Sequence, residues 1–457
     1  MLQTLFYVPS SWLGLPGLVV WGLLCLGWLV VFAIRDAAKK EGKLGKEIVA
    51  MLPVFAFGAL AIYLLLPNMQ VMGINPDDPL GDPIKAGLAI RGYGVMLMLG
   101  VLAGMAVAFA RCSDATVSRD QLFELAIWMV VCGMVGARLF FVIQNRERFF
   151  ADGASLPQIV GALFNMAEGG LVVYGSLIGA LIGGAIVVIR RKLPVLQTAD
   201  LAAPAMAIGL SIGRIGCLMN GCCWGGVCEA PLPAIEFPAG SPAWTQHLYQ
   251  GQLLGLSTKP VSDDPESQLR EITKVKEGIG KTLGLETGDV IKVLALEGER
   301  LRHLLSHDKA GNADRVAIEI NSKQKGTLRV PVSKLSAVSR RVHPTQIYSA
   351  VNALLLCLLL WFWWHVRKAD GEVIALMLIL YSVSRFLLEL IRSDELGQFG
   401  TQLTISQIVS LAALTFGIGL FVWCRMFGAK RWHRLPACDR KHVQWLPPRY
   451  WSIEPPQ

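Results

Sequence analysis

Apolar runs close to the length of a bilayer crossing recur along the chain, separated by short polar clusters. A transmembrane helix needs about 20 predominantly apolar residues. Nine segments meet that pattern: 13–34, 48–66, 90–110, 122–143, 171–189, 201–215, 347–366, 373–391 and 405–426. The predicted fold is an all-α polytopic integral membrane protein of nine transmembrane helices. No Lys or Arg precedes Arg35, so the first apolar segment lacks the basic start of a secretory signal and is expected to remain as a span, its N-terminus outside.

Composition agrees: 53% of the 457 residues are hydrophobic and 17% charged, against about 25% charged in soluble domains. Basic residues fall in alternate loops: Arg35, Lys39, Lys40, Lys43 and Lys46; Arg111 and Arg119; Arg190, Arg191 and Lys192; Arg367 and Lys368. By the positive-inside rule these loops are cytoplasmic. The tail bearing Lys430, Arg431, Arg434, Arg440 and Lys441 then ends inside, as an odd number of spans requires. The expected location is a bacterial inner membrane, with the N-terminus periplasmic and the C-terminus cytoplasmic. The net charge of +9 is largely a topology signal; no nucleic-acid recognition motif accompanies it.

The polar motifs divide the chain further. Residues 1–88 hold two spans without interior charge; 89–225 and 342–428 form two parts of a membrane core; 429–457 is a basic tail. Between them, 226–341 has the composition of a soluble domain and is expected in the periplasm, irregular over 226–270 and β-rich over 271–341. Runs at 290–296, 316–320 and 327–332 carry the strand pattern. The segment Gly284-Leu285-Glu286-Thr287-Gly288-Asp289-Val290-Ile291 resembles a turn and strand of PDZ domains, and a Gly-Asp turn before any strand reads the same way.

Charged side chains inside spans cost roughly 2.5 to 3.5 kcal/mol each, so their presence calls for a site or a pathway. With the topology above, Arg138, Arg214, Arg385 and Glu389 lie near the outer ends of three outward-rising spans, and Arg91, Tyr93, Glu168, His343 and Tyr348 start or precede inward-running ones. Each arginine alone can snorkel or pair with a neighbour. Together they suit one anion, because the planar guanidinium engages two oxygens and stays charged when partly desolvated. A phosphate in the outer leaflet is a phospholipid head group. A transporter would instead spread its charges through the membrane depth.

At this point the motifs resemble the prolipoprotein diacylglyceryl transferase family. The segment Gly213-Arg214-Ile215-Gly216-Cys217-Leu218-Met219-Asn220-Gly221-Cys222-Cys223-Trp224-Gly225 is similar to its most characteristic stretch. His343-Pro344-Thr345-Gln346-Ile347-Tyr348, Arg385-Phe386-Leu387-Leu388-Glu389, Gly136-Ala137-Arg138-Leu139 and Tyr93-Gly94 match others. The resemblance implies that a lipobox cysteine thiol of a prolipoprotein signal peptide attacks the diacylglyceryl carbon of phosphatidylglycerol and expels glycerol phosphate, with no cofactor. Arg214 and Arg385 would hold the phosphate, Arg138 would support them, and Glu389 would hold Arg385. Tyr93, Asn220, Gly221, Gly225 and Tyr348 would shape the head-group site, and His343 or Tyr174 would accept the proton. Two residues depart from the family pattern: Tyr174 stands where a histidine is usual, and Cys217 where asparagine is common. Tyrosine, with a pKa of about 10, is a poor base at neutral pH.

Of ten cysteines, four cluster at the outer face as C-x4-C-C-x4-C: Cys217, Cys222, Cys223 and Cys228. None of these spacings is the C-x2-C of zinc sites, so no metal is expected, and Cys222 or Cys223 is a candidate disulfide partner of Cys228. Two alternatives stay open: a non-catalytic relative that binds lipid or lipoprotein, prompted by Tyr174, and a thiol/disulfide membrane protein built on the cysteine cluster.

Overall fold

In a computed structural model, the described residues are 84–112, 115–146, 172–228, 233–261, 269–295, 316–322, 324–331, 335–392 and 403–427, with short pieces between 4 and 73. Most of the expected spans at 13–34 and 48–66, the residues Glu168 to Gly170 and the tail lie outside them. Thr4–Val8 (β1), Val71–Gly73 (β2) and Ile84–Arg91 (β3) form an antiparallel sheet ordered β1-β3-β2. The helix expected from residue 90 therefore starts only after this strand.

Among the described residues the protein is mostly helical, and five helices are long and apolar enough to cross a membrane: Gly92–Arg111 (α1), Arg119–Gln144 (α2), Val195–Asn220 (α4), Thr345–Val366 (α7) and Ile405–Phe427 (α9). Val173–Arg190 (α3) and Glu372–Glu389 (α8) are the other long helices among the described residues; α8 carries Glu372, Arg385 and Glu389. Helix α2 starts in a reciprocal cap: Ser118 Oγ accepts from the Gln121 amide at 3.2 Å, and Gln121 Oε1 accepts from the Ser118 amide at 2.9 Å.

Lipid tails are as apolar as leucine, so close approach rather than hydrophobic burial joins such helices. Glycines provide it. A Cβ at Gly175 would meet Phe140 Cβ at 2.6 Å, and one at Gly183 would meet the Trp128 carbonyl at 2.6 Å, so α2 and α3 pack backbone to backbone. Helices α1 and α4 do the same at Gly104, where a Cβ would sit 2.9 Å from the Ala205 carbonyl.

One end of the bundle is locked by buried charge. Asp200 on α4 accepts from Arg367 Nη1 at 2.8 Å and from the Gly371 and Ile374 amides at 2.8 and 2.9 Å. The Asp200 and Arg367 side chains are fully buried, and Arg367 stacks 3.4 Å over Trp364. Arg425 on α9 joins through Glu372 at 3.0 Å. Arg367, taken from the sequence as a loop charge, is part of this knot.

The insertion carries a five-stranded antiparallel sheet. Leu256–Pro260 (β4), Arg270–Val275 (β5), Val290–Ala295 (β6), Val316–Ser322 (β7) and Gly326–Pro331 (β8) are ordered β8-β7-β6-β5-β4. Its core includes Trp244, Leu248, Leu254, Ile272, Ile291 and Ile320, none of them exposed by more than 1%. The expectation of irregular chain over 226–270 is corrected: Pro242–Tyr249 (α5) is a helix and β4 lies in the same stretch. Pro242 does not break this helix, because it occupies the first helical turn, where its missing N–H costs nothing, behind the Ser241 cap. The short helix Ile279–Thr282 (α6) and the turn through Asp289 lead into β6, an arrangement open to any strand that follows a Gly-Asp turn.

Candidate active site

The site is at the end of the bundle opposite the Asp200 knot. Helix α4 brings Arg214 there and ends at Gly221, whose φ of 76° lies in the left-handed region. The Gly221 and Cys222 amides both return to the Cys217 carbonyl, at 2.9 and 3.1 Å, closing the orphan carbonyls of the last turn. A Cβ at Gly221 would press on Phe237 at 3.1 Å and Ser241 at 3.2 Å, so the turn is also wedged against the insertion.

The loop after α4 docks on the start of α7. The Gly225 amide donates to the His343 carbonyl at 2.9 Å, and the His343 amide to the Gly226 carbonyl at 3.1 Å. Thr345 Oγ1 and Gln346 Nε2 donate to the Cys223 and Cys222 carbonyls, each at 2.8 Å. The segments 213–225 and 343–348 are thus one structural unit. Gly225 is required by proximity: a Cβ there would lie 2.8 Å from both His343 Cβ and Thr345 Cγ2.

Beneath this unit, Arg214 and Arg385 line the same small cavity with Ser349, Asn352, Tyr381 and Ser384. Arg385 is held from two sides, by Glu389 on its own helix at 2.7 Å and by Ser406 Oγ on α9 at 3.0 Å. Asn352 Nδ2 donates to Ser384 Oγ at 3.0 Å. Tyr93 packs against α4, where a Cβ at Gly216 would touch its ring at 3.2 Å. Asn220 hydrogen-bonds the Cys222 thiol.

Not every anticipated residue joins the cavity. Arg138 is buried on α2, with its guanidinium 5.2 Å from the Phe141 ring. Tyr174 is exposed on α3, and neither it nor Arg138 lines the cavity. His343 and Tyr348 lie at the start of α7, above the lining residues Ser349 and Asn352. Tyr381, Ser384 and Asn352 were missed by sequence reasoning. Tyr381 precedes Arg385 by one helical turn and Asn352 follows Tyr348 by one, so the i, i+4 spacing was the available signal.

The cysteines meet in a different pattern from the one anticipated. The Cys217, Cys222 and Cys223 sulfurs lie within 4.8 Å of one another. Cys228 is outside this group and donates its amide to the Arg341 carbonyl at 2.9 Å. Helix capping explains the difference: the turn at Gly221 folds the chain back over Cys217, a proximity that linear spacing does not display. Cys223 itself has φ 60°, rare for a residue with a Cβ. Hydrogen bonds from Cys217 and Cys222, and then the charge of Arg214, hold its thiol below the ordinary value against the cost of burial.

Comparison with known proteins decides the family. Residues 83–423 match the family described as Prolipoprotein diacylglyceryl transferase. The chain belongs to that family. It is 33% identical to the phosphatidylglycerol–prolipoprotein diacylglyceryl transferase of Rhodopirellula baltica, over 91% of this chain and 87% of the relative. It is 25% identical to transferase 2 of that name from Clostridium perfringens, over 75% of this chain and 94% of the relative. For the Clostridium tetani transferase the identity is 26%, over 73% and 93%. The chain is thus a membrane transferase of lipoprotein biosynthesis.

Proposed function

We propose that the protein transfers the diacylglyceryl group of phosphatidylglycerol to the lipobox cysteine of prolipoprotein signal peptides, forming a thioether and releasing glycerol phosphate. The observation that carries this reading is the convergence of Arg214 and Arg385, from opposite sides of the insertion, on one small cavity in an apolar bundle. Two guanidiniums there can bind the phosphodiester and stabilise the leaving phosphate as its charge grows. Glu389 and Ser406 position Arg385 for that task.

Tyr381, Asn352 and Ser384 offer hydroxyl and amide groups for the glycerol head group, with Tyr93, Asn220, Gly221, Gly225 and Tyr348 shaping its mouth. Arg138, which does not line the cavity, would add positive charge from α2. His343 would take the thiol proton, with Tyr174 as the second candidate. In this reading the site end faces the periplasm, nine helices span the inner membrane, the N-terminus is outside and the C-terminus inside. The relatives compared above all bear transferase names, which favours catalysis over a purely binding role.

The test is complementation. The chain is expressed in a strain depleted of its own transferase, and a model lipoprotein is analysed by mass for the added diacylglyceryl group. The modified lipoprotein is expected; a well-expressed chain that leaves it unmodified would refute the assignment.

A further inference from the structure

The cysteine cluster at the end of α4 is not used by the mechanism above. Its three sulfurs lie within 4.8 Å of one another. Tetrahedral zinc, with Zn–S bonds of about 2.3 Å, sets its sulfurs about 3.8 Å apart, so small χ1 adjustments bring the three thiols to coordinating distance. Their backbone is fixed before any ion arrives. The Cys222 and Cys223 carbonyls are tied to Gln346 and Thr345, which are 1% and 2% exposed. Cys217 is fixed by the helix and by the two amides returning to its carbonyl. The left-handed backbone of Cys223, costly for any residue with a Cβ, belongs to the same turn that gathers the three sulfurs. All three cysteines are only half-buried.

We propose that Cys217, Cys222 and Cys223 form a three-thiolate site for Zn(II), and that the acceptor thiol of the prolipoprotein takes the fourth position. Three protein ligands and one exchangeable position are the donor arrangement of catalytic zinc, and a coordinated thiol is deprotonated outright. The second part rests on the transferase reading. Cys217 follows Arg214 by three residues on α4, so ion and phosphate-binding guanidinium share a helix face.

The acceptor thiol gives its proton to solvent as it binds. Its sulfur electron pair then forms the S–C bond to the glyceryl carbon while the C–O bond to phosphate breaks. The electrons of that bond leave on the glycerol phosphate, which Arg214 and Arg385 hold. The thioether product is a weak ligand and departs, and the ion ends the cycle unchanged. This route relieves the protein of the strong base that Tyr174 does not supply.

The full-length protein, purified in detergent, is dialysed against Zn(II) and analysed for metal, then loaded with Co(II) for spectroscopy. One equivalent of Zn(II) per chain is expected, together with a thiolate-to-cobalt charge-transfer band. Cys217→Ser and Cys223→Ser should each weaken binding at least tenfold, and Cys228→Ser should leave it unchanged. A lipobox peptide should shift the cobalt band, and its Cys-to-Ser counterpart should not.

Binding that survives Cys217→Ser and Cys223→Ser, or no stoichiometric binding by the wild-type chain, overturns the site. So does protection of the thiols from alkylation that reductant relieves and a chelator does not, since that pattern marks a disulfide. Full transfer by chelator-treated wild-type protein overturns the thiol-activating role while leaving the transferase reading intact. Failure of complementation with metal bound overturns the transferase reading, and the thiol-activating role with it, while the metal site stands.

Discussion

Arg385 touches Glu389 on its own helix, Ser406 on the next and the cavity it shares with Arg214. A lysine keeps the charge but lacks the planar fork that makes these contacts together. Arg385→Lys is therefore expected to retain measurable transfer, reduced about 10- to 100-fold, whereas Arg385→Ala and Arg214→Ala should lose about 1000-fold or more. An in vitro assay with labelled phosphatidylglycerol and a lipobox peptide separates these outcomes; equal rates for the Lys and Ala variants would remove the bidentate role. Gly225→Ala tests a different link. Its methyl group would collide with His343 and Thr345, and overpacking of this kind costs about 1–3 kcal/mol. A lower thermal midpoint and reduced transfer are expected together.

Between elements, the insertion and the site loop meet at Trp224, which packs against Phe237 and contacts the His247 ring edge-on at 6.1 Å. Burial, and then the nearby charge of Arg340, lowers the pKa of His247 to about 4. An unfolded histidine titrates near 6.5. Above about pH 6.5 both states are neutral and the packing contributes in full. As pH falls from about 6.5 towards 4, the unfolded chain binds a proton that the folded chain excludes, so stability declines. Proteolysis of the insertion should accelerate between pH 7 and pH 5, and His247→Phe should flatten that dependence. An unchanged pH profile in the variant would assign the decline to other groups.

The long helices were legible because their apolar length leaves no alternative, and α8 and α9 start within one residue of the expected positions. Helix α4 was not fully legible: the apolar run stops near residue 215, but the helix continues through Cys217 and Asn220 to its glycine cap. The strands β6, β7 and β8 fall on an apolar run and two alternating ones, while α5 and β4 were hidden by prolines that sit at an N-terminal turn and a strand end. Arg214 and Arg385 were readable as costly charges. Their partners Asn352, Tyr381 and Ser384 were not, since polar residues of that kind are inexpensive within a helix and raise no alarm.

For the molecule as a whole, the Asp200 knot closes the end of the bundle away from the cavity. Removing one member of a buried ion pair costs about 3–5 kcal/mol because the remaining charge has no partner. Asp200→Ala is expected to lower the unfolding temperature in detergent markedly. The fraction that remains folded should show a normal Michaelis constant for the lipid, because the cavity is at the opposite end. A raised Michaelis constant with unchanged stability would contradict this separation.

The two arginines of the cavity come from α4 and α8, on either side of the insertion. A ribosome that has reached the insertion has delivered Arg214 and the cysteine turn but none of α7, α8 or α9. Thr345, Gln346 and Arg385 are still to be synthesised, so the emerging loop has no surface to dock on and the proposed phosphate site has one of its two arginines. Competence arrives with the final helices. A truncated product that stops after the insertion would be inert towards lipid rather than partly active, and translational failure would leave no uncontrolled acyl-glyceryl chemistry in the membrane.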